Sequence, residues 1–549
     1  MAQFNSANGA YQAHNHTLFE VNQLATSDGS IVTDHNGLPV TATYSRADDN
    51  TQLDTSGRLR VAQAGQQWWY SPSVDKDGDL RYQESFVGTG AASVWIQNLA
   101  AIHLTSGTDS NGYTIRGSRR RHKIRPAVSH QWYATACFDG AQTNVTKRLG
   151  MFTNYNGMFF EVSDDLYVVV RRRLTDGTLK EQRVKRDAFS HDRLDGSANY
   201  NPTGWDWTTD TTASLTGWVS TTSVTVGATT VYRVVFTHDG TADEKFTAGD
   251  KVEVSGVSPT TFNNTPLITA LTASTVTVTY VTNPGSFSSM TSGSIKGNGF
   301  LKTNTFFFDF HGGRSSHIRF CVQGPLGPET LHVFDLGNQL GTQYENAPAL
   351  MERAEILNTG AVNHLPSLTI MQTAFNIEAE AELNPGFGVA TNNTYLQYLA
   401  ANTAEYPIIG VALRAGEPYQ RADLQVQGIS IMDLNNFGNQ QTTPATFYWR
   451  LVLNPTLGGT VPASVDTGKA TRYWNYTTAT TISGGFDLVS GYFNSYSGTI
   501  DVRNALNFIN LGSNLDYTDS DKVVLVVKQM RGGSQNAQVI ATLNFIEAL

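Results

Sequence analysis

Residues 115 to 132 read IRGSRRRHKIRPAVSHQW, and there Arg119, Arg120, Arg121, Lys123 and Arg125 crowd around His122. Such a density of cations is what a phosphate backbone attracts. Nucleic-acid grips, however, interleave stacking aromatics with their cations, and none follows here until Trp132. If the stretch is extended, Arg119, Arg121, Lys123 and Arg125 share one face, and Arg120, His122 and Ile124 share the other. Glu161, Asp164, Asp165, Asp187, Asp192 and Asp195 follow within reach of a sheet. The expectation is therefore a structural layer of cross-strand or inter-subunit ion pairs, with Arg171, Arg172 and Arg173 in the same layer and no nucleic-acid partner.

Three acidic or histidine-bearing stretches offer other chemistry. NIEAEAEL puts Glu378, Glu380 and Glu382 on one face of a strand, the placement that some jelly-roll glycosidases use for paired acids. Those enzymes carry Glu-x-Asp-x-Glu, and the middle Asp is missing here, so an acidic ladder in a subunit or ion-pair contact is the expectation. PSVDKDGDLRYQE alternates Asp75, Asp77 and Asp79 as a calcium loop does, but the sixth and twelfth positions are Leu80 and Phe86 instead of Gly and a bidentate acid. DFHGGRSSHIRF holds Asp309, His311 and His317, while no G-x-S-x-G elbow supplies a nucleophile, and Walker A, HExxH and CxxC patterns are absent. These residues predict no catalytic group, no cofactor and no metal.

The elements that must position these residues follow from composition. The 549 residues carry a formal charge of -9, so no general attraction to nucleic acid or to an anionic membrane is implied. Charged residues make up 15%, below the roughly 25% of ordinary globular chains. Gly, Thr, Ser and Asn replace them, a mixture that favours short strands and turns. Cys137 and Cys321 encode neither a disulfide framework nor a zinc site and read as small buried hydrophobes. The first residues lack a signal-peptide pattern and no apolar run approaches the roughly 18 residues of a membrane span, which predicts folding in a cytoplasm.

Residues 1–56 are polar and weakly patterned, an extended arm suited to ordering on a neighbouring subunit. From residue 57 short aromatic β-type runs begin, among them HQWYATACF, GMFFEV, DLYVVVRRRL and TFFFDF. MERAEIL is readable as a short helix or a strand, and RNALNFIN as a short helix. Residues 211–298 change to Thr, Ser and Val alternation, and aromatic strands resume after them. The reading is all-β: a jelly-roll or β-sandwich core over 57–210 and 299–385, interrupted by a small β-barrel-like module at 211–298. A β-rich region over 386–549 ends in VVLVVKQMRGGSQNAQVIATLNFI, which reads as a hairpin.

The succession GRLRVAQ, TIRGSRRRHKIRPAVSHQ, KRLGMFTNYNGMFFEV, RVKRDAFSHDRLDG, FFFDFHGGRSSHIRFCV, ALMERAEILNTG and IIGVALR resembles a family of tailed-phage and large-virus structural proteins, known as virion or tail-associated. FTAGDKVEVSGVSPTTFNNTPLITALTASTVTVTYVTNP is similar to a small β-module repeated in phage structural proteins. The resemblance implies a non-enzymatic particle component that contacts other virion proteins and copies of itself. Tail, baseplate or fibre is the expected location, with capsid decoration as the alternative. Two further readings stay open: a host-glycan binder stacking sugars on Trp68, Trp69, Trp95, Trp132 or Trp205, and a depolymerase acting through Glu378 or Glu382.

Overall fold

The structure, a computed structural model, describes residues 10–12, 18–20 and most of 65–548; the larger stretches outside it are 77–80, 125–127, 198–202, 312–316, 338–348, 378–386, 393–396, 400–403, 434–445, 503–510 and 532–536. The chain divides into two compact units, Met1–Asp49 and Asn50–Leu549. In the first, Ala10–Gln12 and Leu18–Glu20 pair antiparallel. Arg125, Asp75, Asp77, Asp79, Glu378, Glu380, Glu382 and the stretch RNALNFIN lie outside the described residues.

The second unit opens with a jelly-roll-class sandwich of two antiparallel sheets. One has seven strands in the order Leu179–Lys185, Leu166–Arg173, Gly157–Val162, Val145–Phe152, Ala349–Asn358, Tyr113–Lys123 and Tyr82–Val87. The other runs Gly327–Asp335, His317–Gly324, Asn304–His311, Ser129–Cys137, Ser367–Ile377, Ala101–Ser106 and Ala91–Ile96, with Gly65–Tyr70 added beside Ser367–Ile377. Period-two alternation explains the pairing: Met158, Phe160 and Val162 point inward from one sheet and Phe306, Phe308 and Phe310 from the other. The Phe160 ring lies 5.1 Å from both Phe306 and Phe320, and each ring so buried contributes roughly 2–3 kcal/mol. ALMERAEIL is a strand, paired on both sides, because Leu350, Ala354 and Ile356 fall in the inward phase.

Residues 211 to 297 form their own six-stranded sheet around Val234, Phe236, Phe262, Val276 and Val278. Backbone bonds from Val252 N to Pro266 O and from Val254 N to Asn264 O join its two outer strands and close it towards a barrel. Thr211 pairs with Gly297, so the ends of the module are neighbours.

The C-terminal region is a second sandwich, its two sheets enclosing Leu424, Ile429, Trp449, Leu451, Leu525, Leu543 and Phe545. The expected closing hairpin is corrected. Lys522–Arg531 pairs with Tyr406–Leu413 and Thr446–Leu453 in one sheet, while Ala537–Ala548 pairs with Phe387–Asn392, Gln397–Leu399 and Asp423–Asp433 in the other. Both runs are apolar enough to be central strands, and each is better buried between neighbours than against the other.

Candidate functional site

The arginine-rich strand meets the C-terminal sandwich. Met351 pairs with Arg121 and Arg353 with Gly117, so Ser118, Arg119 and Arg120 stand opposite Glu352 alone. This bulge breaks the simple alternation expected of the stretch. Arg119 Nη1 donates to Asp521 Oδ1 at 2.5 Å, and the same carboxylate accepts from Asn454 Nδ2 at 2.7 Å and from the Gly512 N–H at 3.2 Å. Arg121 Nη2 donates to the Asn514 carbonyl at 3.3 Å. A Cβ at residue 512 would stand 2.2 Å from the Arg119 carbonyl oxygen, so this close approach requires glycine. Lys123 is half-buried opposite Ala349. His122 turns inward, its ring 5.7 Å from Trp68 and 4.9 Å from Phe375; burial, then Arg120 and Arg121, hold its pKa well below the usual value.

Glu161, Asp164 and Asp165, expected beside Arg119, serve other cations. Glu161 accepts from Arg148 and Arg183, each at 2.6 Å, and Glu355 from Arg148 at 2.8 Å and Arg353 at 2.6 Å. Arg171 belongs to this lattice through Glu181, and the guanidiniums of Arg148, Arg171 and Arg353 lie over the rings of Phe152 and Phe159. Burial alone would raise the Glu355 carboxyl; Arg353 and Arg148 hold it at about 2. Asp165 takes Arg186, and Asp192 accepts the N–H groups of Leu194 and Thr203.

A second junction, which the sequence reading missed, fixes the 211–298 module to the first sandwich. Lys251 Nζ of the module donates to Asp139 Oδ1 and, at 3.2 Å, to Thr369 Oγ1, and Thr369 donates to Asp139 Oδ2 at 2.9 Å. Asp139 has a left-handed backbone (φ 55°), which Asp tolerates, and Lys147 Nζ satisfies the carbonyls of Phe138, Asp139 and Gly140 at 2.7, 3.1 and 2.8 Å. Burial opposes the Asp139 charge, yet Lys251, with His103 and Lys147, keeps this carboxyl well below the usual carboxylate range. His103 stays neutral because burial and Lys251 lower it to about 4. Cys137 beside this cluster is fully enclosed; burial and then the Asp139 charge push its thiol well above the ordinary range, and Cys321 is buried too.

Between the sheets of the first sandwich sits Glu352, in the same inward phase as Leu350 and Ala354. Trp68 Nε1 donates to it at 3.1 Å and Tyr82 Oη at 3.3 Å. Tyr70, Tyr82, Arg116 and Glu352 line a pocket with room for about one water. Arg116 itself is engaged by Glu84, the Tyr70 hydroxyl and the Lys76 carbonyl. Burial therefore pushes Glu352 up to about 7 against the donors around it.

The remaining residues do not converge. Asp309 is buried in a pair with Arg319, and His317 faces Asp335 at 3.3 Å in a separate, half-exposed pair. Among the described residues no group of three His, Cys, Asp or Glu side chains could hold a metal ion, and no helix is long and apolar enough to cross a membrane. Of the five tryptophans considered for sugar stacking, Trp68 and Trp132 are buried, Trp95 and Trp205 half-buried, and Trp69 is 58% exposed.

No protein-family model and no curated protein matches the chain. Among solved structures it is similar to the Emp47p carbohydrate recognition domain, with 9% identity, 58% of this chain and 98% of that one covered and a TM-score of 0.25. It is also similar to the triple-jelly-roll turret protein of an archaeal virus, with 10% identity, 89% and 98% covered and a TM-score of 0.15.

Proposed function

We propose that this chain is a non-enzymatic structural component of a tailed-phage virion, assembled in the host cytoplasm and placed in the tail, baseplate or fibre. The observation that carries the reading is how its charges are used. Cations fasten one β-module to the next: Arg119, from the cluster weighed as a nucleic-acid grip, to Asp521 across the two sandwiches, and Lys251 of the inserted module to Asp139 of the first sandwich. A chain of β-modules clamped in this way suits a load-bearing part that contacts other virion proteins and further copies of itself. The resemblance of the ordered sequence blocks to those of virion proteins supports the same reading.

Antibodies against residues 57–210, applied to purified particles that encode this chain and viewed by negative stain, test the reading. Label on the tail or its tip is the expected outcome. Label over the head moves the chain to capsid decoration, and no label on intact or dissociated particles rejects the proposal. The exposed Trp69 supports a second reading, host-glycan binding. A glycan array decides it: signal that disappears in Trp69→Ala supports a sugar site, and a blank array removes it.

A further inference from the structure

One flank of the first sandwich differs from the other. Tyr82–Val87 ends one sheet, Ala91–Ile96 ends the other, and the turn at 88–90 joins them, so the two edges, unpaired among the described residues, lie together. Of the twelve large hydrophobic side chains that the described residues expose, four stand here, Phe86, Val87, Val94 and Leu99. A fifth, Trp69, belongs to Gly65–Tyr70, which borders the same side of Ser367–Ile377. The strand AASVWI has no charge and no proline. The opposite edges of the same two sheets are LKEQRVK, with Lys180, Glu181, Arg183 and Lys185, and GPETLHVFD, with Pro328, Glu329 and Asp335. Charges and prolines are the devices that keep a free edge from pairing, and Ala91–Ile96 lacks them.

We infer that Ala91–Ile96 pairs antiparallel with the same strand of a second copy, joining two eight-stranded sheets into one across a two-fold axis at Val94. This names the surface for the self-association in the proposed function and rests on that part of it. The pleat selects the register. Ala92, Val94 and Ile96 lie on the face turned away from the sandwich interior, where Val94 is exposed while Ile96 and its neighbour His103 are buried, and Ser93 and Trp95 face the interior. Residues opposite one another in an antiparallel pair must share a face, so the axis passes through a residue rather than between two. With Val94 on the axis, Val94 meets Val94, Ala92 meets Ile96 and Ser93 meets Trp95. No like charges are opposed, and every unpaired N–H and C=O of one edge finds its counterpart in the other. Phe86, Val87 and Leu99 flank the seam and are covered by the second copy.

Sedimentation of the full chain tests this, alongside Val94→Lys, Val94→Glu and, as a control at another exposed valine, Val465→Lys. Wild type and the control should sediment at twice the chain mass. Each Val94 variant should run at the chain mass with an unchanged β-type spectrum, because two like charges then face each other on the axis. An equimolar mixture of Val94→Lys and Val94→Glu should return to twice the chain mass as a mixed pair. A monomeric wild type, a Val94 variant that dimerises as strongly as wild type, or a mixture that stays at the chain mass overturns the inference. If either single variant aggregates, Ala92→Asp, which sets a charge against Ile96 of the second copy, takes its place: it should run at the chain mass, and dimerisation as strong as wild type again overturns the inference. The result is independent of particle labelling: a dimer without particle label sinks the virion reading alone, and label with a monomer sinks this seam alone.

Discussion

At Glu352 the period-two phase of Ala349–Asn358 places a carboxyl where Leu350, Ala354 and Ile356 place hydrocarbon. Its pKa of about 7 lies above the ordinary 4.5, so the folded chain holds a proton that the unfolded chain has released. The stability this gives is complete below about pH 4.5 and is lost as pH rises through about 7, a change of about 3 kcal/mol. Glu352→Gln should therefore melt higher than wild type at pH 8, with the difference closing towards pH 4; thermal melts across that range check it, and an equal shift at both ends would contradict it. Arg119 belongs to the same scale. Removing it leaves Asp521, which is 7% exposed, with only Asn454 and a backbone N–H. Arg119→Ala and Asp521→Ala should each cost about 3 kcal/mol in urea unfolding, and the double variant clearly less than the sum, because the second removal takes away the stranded partner.

Among the elements, the inserted module is the one whose role the structure changes most. Its alternating strands are legible as sequence, and composition shifts sharply near residues 211 and 298. The lysine in AGDKVEV and the aspartate in CFDG carry no mark that they will meet, because they are 112 residues apart and belong to different modules. Lys251→Met should destabilise the whole chain by about 3 kcal/mol by leaving Asp139 charged in a site without exposure, and adding Asp139→Asn should recover most of that loss; urea unfolding of the three variants decides it. Excising 211–298 is the milder change. Thr211 and Gly297 are paired neighbours, so a short Gly-Ser link spans the gap, and Asp139 returns to water when the module leaves. That shortened chain should be soluble and melt cooperatively.

For the whole molecule, the all-β class was legible because aromatic and β-branched runs between turn residues recur throughout. Which strand lies beside which was not. The closing VVLVVKQM and QVIATLNFI read as a hairpin because they are adjacent in sequence, yet each is a central strand of a different sheet, and only the competition for buried neighbours decides that. The charged cluster at 119–125 likewise announced ion pairing through its composition, while its partner Asp521 lies 402 residues away and is invisible to spacing. Glu352 was readable in principle, from an acid in the inward phase, once MERAEIL is taken as a strand. With Arg119, Arg121 and the Arg148 lattice engaged inside the fold, duplex DNA should bind the purified chain no better than it binds albumin at moderate salt; tight binding that weakens steeply as salt is raised would show free cations instead.

The two cysteines carry a practical corollary. Cys137 and Cys321 are both enclosed, and the Cys137 thiol is held in its unreactive protonated form by burial beside the Asp139 charge. A maleimide reagent therefore meets a silent background in the folded chain. One cysteine introduced at an open turn, such as Gly249→Cys, where an added Cβ meets no atom within 4 Å, becomes the single addressable thiol despite its left-handed backbone. A gold cluster or fluorophore carried there would report the position and copy number of this chain inside an intact particle, with no antibody and no fusion partner.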